Sequence, residues 1–385
     1  MTPYGSFLFF IILGILLAPT IILGLNGKSF RLYNMAVSVL VLALIFSNSL
    51  HGLIMLCLFT LWQMVLIKGY IAYRLKANSG IVFCLAAAAS ILPLALSKLL
   101  PFFAVDNWAT FLGISYLTFK GVQLIIETRD GLIKKQLPIS RLLYFILFFP
   151  TISSGPIDRY RRFEKDDQTV WTKEQYEELL YKGINKIFLG FLYKFIIGYC
   201  INTYVIMKLP FLTSGSISHG LAYMYAYSLY LFFDFAGYTA FAVGVSYIMG
   251  IKSPENFNKP FISRNIKDFW NRWHMSLSFW FRDYVFMRFV LWMTKKKWIT
   301  NRMAVSNIGY VLLFLLMGVW HGLALQYIVY GLYHALLMVG FNFFEKWNKK
   351  HKWWPNNKWT TAVSIVVTFH FVCFGFLIFS GKLIH

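Results

Sequence analysis

Apolar blocks recur along this chain of 385 residues, and they constrain its fold more than any other feature. Each block is about 18 residues or longer, close to the roughly 20 apolar residues that a helix needs to cross a bilayer. Only 14% of the residues are charged, compared with about 25% in soluble domains. The sequence therefore predicts an all-α, polytopic integral membrane protein, with about 10–11 transmembrane helices plus re-entrant and interfacial helices.

The length suits one membrane domain, 1–385, in which we distinguish three parts. They are the N-terminal spans (1–137), a catalytic core (138–345) and a basic loop with the last span (346–385). The apolar blocks predict spans at about 6–24, 34–48, 52–72, 80–100, 109–126, 184–206, 221–249, 306–321, 325–344 and 360–381.

Two segments depart from simple spans. Segment 142–158 carries two prolines and has basic residues on both sides, so a full crossing would export the basic residues that follow it. A re-entrant segment would not, and irregular backbone is tolerated where protein surrounds it. Further along the chain, Thr172 and Gln175 predict a capping box that opens an interfacial helix.

Lys and Arg cluster in the short loops after the first, third and fifth spans, and the formal net charge is +22. In a membrane protein this distribution indicates cytoplasmic loops rather than nucleic-acid binding, and it places the N-terminus outside. Anionic lipid headgroups and an acidic soluble partner are the counter-charges that we expect. A reporter fused near Ser214 should accordingly report an outside location, and one at Lys296 an inside location.

The stretch from Pro254 to His321 is dense in Arg, Lys, Asp, Trp and Ser, although the chain around it is apolar. Because charge kept beside lipid is costly, such a stretch is a functional-site hypothesis. His321 ends an apolar span between Trp320 and Gly322, and histidine suits general-base work on a hydroxyl. Gly322 would leave room for a substrate beside the ring. The structural alternative is a helix-end histidine bonded to a carbonyl.

His274 is the second candidate, within the sequence N-R-W-H-M-S-L-S-F-W-F-R-D-Y. A continuous helix here would carry one apolar stripe. Its members would be Trp273, Leu277, Trp280, Phe281 and Tyr284. The structural alternative is an interfacial amphipathic helix with aromatic anchors. We expect Arg282 and Asp283 to join a buried ion-pair network that orients the site.

Other polar residues complete the candidate set. Asp234 lies inside an apolar span, where we expect it to pair with an arginine rather than to relay protons. His334 could face His321 across a hairpin, but we predict a packed core histidine. The residues predicted to line or orient the substrate path are Trp320, Gly322, Trp273, Ser278, Arg282, Asp283 and Asp234.

Several reaction classes lack their motifs. The sequence has no phosphate loop, G-x-S-x-G elbow, H-E-x-x-H motif or Cys/His metal cluster, so we predict no bound metal. Phosphoryl transfer and metallohydrolysis are therefore disfavoured. Acyl transfer remains, because it needs only a base, an oriented hydroxyl and an activated acyl donor.

Five motifs occur in an order that resembles the membrane-bound O-acyltransferase family. They are S-G-P-I-D-R (154–159), D-F-A-G-Y (234–238), P-E-N-F-N-K-P-F (254–261), F-W-N-R-W-H-M-S-L-S-x-W-x-R-D (269–283) and W-H-G (320–322). Each motif is weak alone, whereas the ordered combination is specific and the resemblance covers nearly the whole chain. The fuller wording, including G-I-S-Y-L-T-F (113–119), is similar to the members of the family that transfer D-alanine.

The resemblance implies a ring of spans around a central funnel, in the cell membrane of a Gram-positive bacterium. It implies a D-alanyl thioester on the 4′-phosphopantetheine of a small acidic carrier protein, presented from the cytoplasm, with lipoteichoic acid as the final acceptor. His321 matches the late active-site histidine of the family, and His274 matches the earlier one. A membrane-anchored Dlt D component and a very small single-span Dlt peptide are implied as partners on the acceptor side.

The segment after Asp283 is the predicted docking site for such a carrier. An apolar face that lipid does not require is formed by Val285, Phe286, Phe289, Val290 and Met293. The basic residues beyond it are Lys295, Lys296 and Lys297. An acidic carrier could place its apolar centre on this face and its rim against the lysines. The alternative is plain positive-inside anchoring.

Two other functions stay open on the sequence. A related acyltransferase that acetylates an exported polysaccharide would share the family motifs. A membrane transporter or flippase belongs to a different class, and the sequence disfavours it because paired inverted halves with matching broken helices are missing. A neighbouring gene for a D-alanine-activating ligase would favour D-alanyl transfer over acetyl transfer.

Overall fold

A computed structural model of the protein describes residues 1–103, 105–209 and 216–383. Every regular element in these ranges is helical, which confirms the all-α fold class. The expected outside position of a reporter at Ser214 cannot be compared with the fold, because that residue lies outside the described residues.

The chain divides into two compact units, each with its own interior. The first comprises Met1–Phe191 and Gly237–Pro254, and the second comprises Leu192–Ala236 and Glu255–His385. The helices of the first unit are α1 (Phe7–Leu25), α2 (Arg31–Ile45), α3 (Leu50–Arg74), α4 (Gly80–Leu99), α5 (Ile114–Arg129), α6 (Ile139–Ile146), α7 (Tyr160–Gln168) and α8 (Lys173–Gly190). Residues of α9 (Ile217–Ile248) belong to both units. The remaining helices are α10 (Ile266–Trp270), α11 (Met275–Phe281), α12 (Met287–Lys296), α13 (Arg302–His321), α14 (Leu325–His351) and α15 (Lys358–Phe379).

Eight helices of the described chain are long and apolar enough to cross a membrane. They are α1, α3, α4, α8, α9, α13, α14 and α15. Two further spans expected from the sequence are shorter, since α2 has 15 residues and α5 has 16. At 1.5 Å per residue these two helices are about 22–24 Å long, less than a bilayer core of about 30 Å. The eight long helices make the chain a multi-pass membrane protein.

The predicted capping box is present at the start of α8. Thr172 Oγ1 accepts the Gln175 N–H at 3.3 Å, and Gln175 Oε1 accepts the Thr172 N–H at 3.2 Å. The helix that it opens is not a separate interfacial helix, however, because it continues as one span over Lys173–Lys208. No proline interrupts it, and Gly183 packs against α9, where a Cβ would lie 2.8 Å from the Gly244 carbonyl oxygen.

The segment at 142–158 is broken, as its prolines predict. α6 ends at Ile146, and a single 3₁₀ turn follows at Phe149–Thr151. The buried side chain of Lys120 donates from Nζ to the carbonyl oxygens of Phe145 and Ile146, at 3.0 and 3.3 Å. A side chain of α5 thus satisfies carbonyl groups that the end of a short helix leaves open.

Candidate active site

The hairpin of α13 and α14, in the second unit, positions the first candidate histidine. Two glycines allow the helices to approach closely. A Cβ on Gly318 would lie 2.5 Å from the Tyr327 carbonyl oxygen, and one on Gly331 would lie 2.4 Å from the Phe314 carbonyl oxygen. Small residues at such crossings are typical of helix pairs in membranes. The hairpin therefore fixes the end of α13, where His321 lies.

His321 is the last residue of α13, as the sequence predicts, and its side chain is half-buried. The imidazole lies edge-on to Phe379 at 5.0 Å between ring centroids, and Tyr330 and Tyr327 lie at 6.2 and 6.1 Å. Aromatic rings from α14 and α15 therefore wall one side of the imidazole, while part of its surface stays accessible.

Gly322 and Trp320 flank His321, and the glycine does not serve the purpose expected from the sequence. A Cβ on Gly322 would lie 2.7 Å from the ring of Tyr327, so the space beside it is already filled. The glycine makes room for this tyrosine rather than for a substrate. Trp320 packs its ring against the imidazole, with 4.5 Å between centroids, and restricts the orientations of the histidine.

His274 lies between α10 and α11 in a left-handed backbone conformation, with φ 42° and ψ 51°. Such a conformation is uncommon for a residue with a side chain and often marks a functional site. It interrupts the helix, so the continuous stripe predicted from Trp273 to Tyr284 is wrong. Trp273 precedes the break, whereas Leu277, Trp280 and Phe281 follow it and are buried in α11.

The imidazole of His274 is buried between α10 and α11. It is 4% exposed and lies edge-on to the ring of Phe235, with 4.8 Å between centroids. Within the described residues, neither of its ring nitrogens has a hydrogen-bond partner. Burial lowers the pKa of His274 to about 3, and the neighbouring His321 acts in the same direction. The ring is therefore neutral at pH 7, with one N–H donor and one acceptor available to a ligand.

Asn256 holds the turn that carries His274, and sequence reasoning assigned it no role beyond its motif. Its Oδ1 accepts the backbone N–H of Ser276 at 3.2 Å and the hydroxyl of the same residue at 2.6 Å. Its backbone carbonyl accepts the N–H of Met275 at 2.9 Å. These three hydrogen bonds fix the first residues of α11 and hence the strained residue before them.

We expect Asn256→Leu to lower strongly the acyl transfer that the family resemblance implies, because the two donors of Ser276 lose their shared acceptor inside the protein. Each unsatisfied buried donor costs about 1–3 kcal/mol, which weakens the turn at His274. Asn256→Asp keeps the acceptor oxygen and should recover much of the activity. The measurement is transfer by purified variants, normalised to folded protein. Equal activity of the two variants would contradict the positioning role.

Trp273 and Ser278 support the same turn. Trp273 is buried among the rings of Phe257, Phe269 and Phe376, with centroid distances of 5.0, 5.6 and 4.7 Å. Ser278 donates its hydroxyl to the Trp273 carbonyl oxygen at 3.0 Å. The tryptophan therefore anchors the chain before His274, and the serine satisfies a carbonyl that the interrupted helix leaves open.

Both predicted ion pairs differ from expectation. Arg282 and Asp283 pair at 2.9 Å, but their side chains are 49% and 41% exposed, so they do not form a buried network. Asp234 pairs with Lys194 rather than with an arginine. This lysine lies in a π-helical segment, Phe191–Gly198. Because the segment is far from Asp234 in the sequence, the pairing could not be predicted from the sequence.

The face of α12 predicted for carrier docking is partly covered by α13. A Cβ on Gly309 would lie 2.9 Å from the Phe286 ring and 3.3 Å from Val290 Cγ2. Phe286 stacks on Tyr310 at 4.6 Å, and Met293 is buried. The two other predicted members, both half-buried, are Val285 and Phe289. These five positions are therefore only partly accessible, and carrier docking at them stays a prediction.

A different face of α12 is exposed. Leu291 is 63% exposed, and Trp292 beside it packs edge-on against the exposed Trp298, with 4.8 Å between centroids. Lys295, Lys296 and Lys297 are exposed next to these residues. Apolar and basic side chains thus share one accessible surface, which we call the α12 surface.

A pocket of about 280 Å³ lies among α10, α11, α12, α13 and α14. Its polar lining residues include Lys267, Asn271, Ser278 and Arg282. Its apolar lining includes Phe279, Phe314 and Met317. Met317 lies four residues before His321, on the same face of α13. The pocket therefore combines cationic groups with an apolar wall that includes Met317, one helical turn from His321.

His334 is a core histidine, as predicted. It is fully buried, and its ring packs against Tyr330 and Trp270 with centroid distances of 4.5 and 5.0 Å. Gly375 makes room for it, because a Cβ there would lie 2.8 Å from its Nε2. His334 thus fixes α14 against α15 instead of facing the reaction site.

The family model of the membrane-bound O-acyltransferases (MBOAT) matches residues 128–384. The chain belongs to this family, and it is an acyltransferase. It is 76% identical over 392 residues to the teichoic acid D-alanyltransferase of Bacillus subtilis (strain 168), covering 100% of this chain and 99% of the relative. It is 45% identical over 399 residues to the teichoic acid D-alanyltransferase of Lacticaseibacillus rhamnosus, covering 100% and 98%. A more distant relative, the probable alginate O-acetylase AlgI of Pseudomonas fluorescens, is 29% identical over 286 residues, covering 71% and 52%.

Proposed function

We propose that this protein transfers D-alanine from a carrier-protein phosphopantetheine thioester toward a hydroxyl of lipoteichoic acid. One observation carries the proposal: a buried, neutral His274, which has no hydrogen-bond partner among the described residues, lies in the same unit as the half-buried His321. The 76% identity to a teichoic acid D-alanyltransferase supports D-alanine as the transferred group.

In the proposed reaction His321 acts as the general base. It removes the proton of the acceptor hydroxyl while the hydroxyl oxygen forms a bond with the thioester carbonyl carbon. The carbon–sulfur bond then breaks, and His321 returns the proton to the leaving sulfur, so that an ester and a free thiol result. His274 donates its ring N–H to the carbonyl oxygen, where negative charge develops.

The pocket of about 280 Å³ is the proposed path of the phosphopantetheine arm. Lys267 and Arg282 pair with Glu345 and Asp283, and they would hold the phosphate through the N–H groups that these pairs leave open, because cationic side chains recognise phosphate oxygens through charge-assisted hydrogen bonds. The apolar wall would accompany the arm toward Met317, one turn from His321. The positive-inside distribution supports entry from the cytoplasm, with the N-terminus of the protein outside and Lys296 inside.

The α12 surface is the proposed docking site of the acidic carrier. Leu291, Trp292 and Trp298 would form the apolar centre, and the three lysines at 295–297 would form the rim. Apolar anchors mainly set the lifetime of a complex, whereas rim charges set the encounter rate and its dependence on salt.

We expect Leu291→Asp to weaken carrier binding by at least about fivefold, because the loss of an apolar anchor costs more than about 1 kcal/mol. Thr294→Asp is the matched control, since it adds the same charge at an exposed position of the same helix without removing an anchor. Replacing all three lysines by alanine should weaken binding mostly at low salt. Binding is measured with purified carrier and detergent-solubilised protein. Unchanged binding of Leu291→Asp would place the docking surface elsewhere.

Reconstitution tests the proposed function as a whole. Proteoliposomes receive carrier loaded either with labelled D-alanine or with labelled acetate, together with the Dlt D component, the single-span Dlt peptide and lipoteichoic acid. We expect label on lipoteichoic acid from the D-alanyl carrier alone. Transfer of acetate but not of D-alanine would overturn the proposal in favour of polysaccharide O-acetylation. That is the activity for which the probable alginate O-acetylases are named.

A further inference from the structure

A second cavity of the second unit, about 430 Å³ in volume, lies among α10, α14 and α15. Its walls are mostly apolar, with Leu336 and Phe344 from α14 and Val367 and Phe371 from α15. The described lining includes neither candidate histidine and none of the residues of the proposed carrier path. The cavity therefore needs an explanation of its own, which is independent of the proposed function.

One end of this cavity lies at the junction of α14 and α15, which has the composition of a membrane interface. The residues of this junction include Lys346, Lys349, Lys350, Lys352, Trp353 and Trp359. Tryptophan and lysine at the ends of spans are typical of the boundary between lipid and water. Trp354 lines the cavity here, its N–H donates to Asn348 Oδ1 at 2.7 Å, and its Nε1 donates to Ser364 Oγ at 3.0 Å. The end wall is thus held in place by hydrogen bonds.

Arg264 gives the cavity a positive charge. It lines the cavity and is exposed, and no carboxylate of the described residues pairs with its guanidinium. The acid nearest in sequence, Asp268, accepts Arg272 Nε at 2.7 Å and the backbone N–H of Arg264 at 3.0 Å. Lys267 pairs with Glu345 at 2.7 Å. The start of α10 therefore lies near the basic end of α14.

We propose that the cavity binds an anionic phospholipid, with its phosphate on Arg264 and one acyl chain between α14 and α15. The stretch from Leu336 to Phe344 extends about 12 Å along α14, and it gives the acyl chain of the lipid an apolar wall. Basic pockets between transmembrane helices at a membrane interface are a recurrent way of binding anionic headgroups. Arg264 lies two residues before the start of α10, and α10 leads into the turn at His274, so bound lipid stabilises the support of that turn.

Native mass spectrometry of the full-length protein tests this site, with phosphatidylglycerol and phosphatidylcholine as the two probes. The wild type should retain phosphatidylglycerol preferentially. Arg264→Gln should lower the affinity for phosphatidylglycerol about fivefold and leave phosphatidylcholine unchanged, because one basic residue near the surface contributes about 1 kcal/mol. Gly340→Leu should remove both lipids, since Gly340 lines the cavity and the space beside its Cα is open.

Gly14→Leu is the matched control, because Gly14 also has open space beside it but lies on α1, outside the cavity. This variant should retain lipid as the wild type does. Undiminished preference for phosphatidylglycerol in Arg264→Gln would overturn the proposal, and so would full retention of both lipids by Gly340→Leu. A photo-crosslinking residue in place of the exposed Leu336 distinguishes a bound lipid from a bound protein. Cross-links in native membranes to a protein instead of a lipid would assign the cavity to a partner helix.

Discussion

The His321→Ala variant is expected to lose acyl transfer by about 10²–10⁴-fold, the usual contribution of a general base. Insertion and folding should be unchanged, because the half-buried side chain makes ring contacts at the end of α13 rather than at its crossing with α14. The measurement is D-alanine ester on lipoteichoic acid, in cells and in proteoliposomes. Near-normal ester would remove His321 from the role of base.

Two other histidine variants make this result specific. His351→Ala removes an exposed histidine at the end of α14 and should leave transfer unchanged. His274→Ala should also lower transfer strongly, while the affinity for the loaded carrier stays the same, because the proposed N–H contact forms with a carbonyl oxygen that gains charge in the transition state. A weaker carrier affinity with unchanged turnover would instead make His274 a binding residue.

Gly331→Ala is the second variant with a large expected effect. The added Cβ would lie 2.4 Å from the Phe314 carbonyl oxygen, a backbone atom that cannot rotate away. Overpacking of this kind costs about 1–3 kcal/mol, and displacing a catalytic group by about 1 Å costs about 10²-fold in rate. We therefore expect both a lower melting temperature and a loss of transfer.

Gly69→Ala in α3 is its control. The same methyl group there meets no atom within 4 Å, so stability and transfer should match the wild type. Thermal unfolding in detergent and transfer in proteoliposomes measure the two properties. If Gly331→Ala were as stable and as active as Gly69→Ala, the close crossing of α13 and α14 would not position His321.

The spans were predictable because the information for each is local. An apolar block long enough to cross a bilayer is visible in the sequence, and the capping box at Thr172 marks the start of α8. The length of α8 could not be predicted. Nothing in the sequence separates an interfacial helix from the first turns of a span when no proline lies between them. The close crossing of α13 and α14 could not be predicted either. The need for glycine at 318 and 331 is visible only when the two helices are packed against each other.

The two candidate histidines could be named from the sequence, but the groups that position them could not. The left-handed turn at His274 depends on hydrogen bonds that Asn256 accepts, although Asn256 lies 20 residues before Ser276, which donates two of them. The pairing of Asp234 with Lys194 spans 40 residues. A helical wheel likewise could not show which face of α12 meets α13, because that choice is made by Gly309 on the neighbouring helix.

The π-helical turn Arg282–Phe286 joins α11 to α12, and such a turn is an α-helix that accommodates one additional residue. Deleting one residue inside it would restore an ordinary α-helical turn and leave both flanking helices in phase. The same deletion a few residues later would rotate Leu291 by about 100° relative to Phe286, which stacks on Tyr310. The turn is thus the place in this segment where the length of the chain can change without turning the exposed side of α12 away from its present direction.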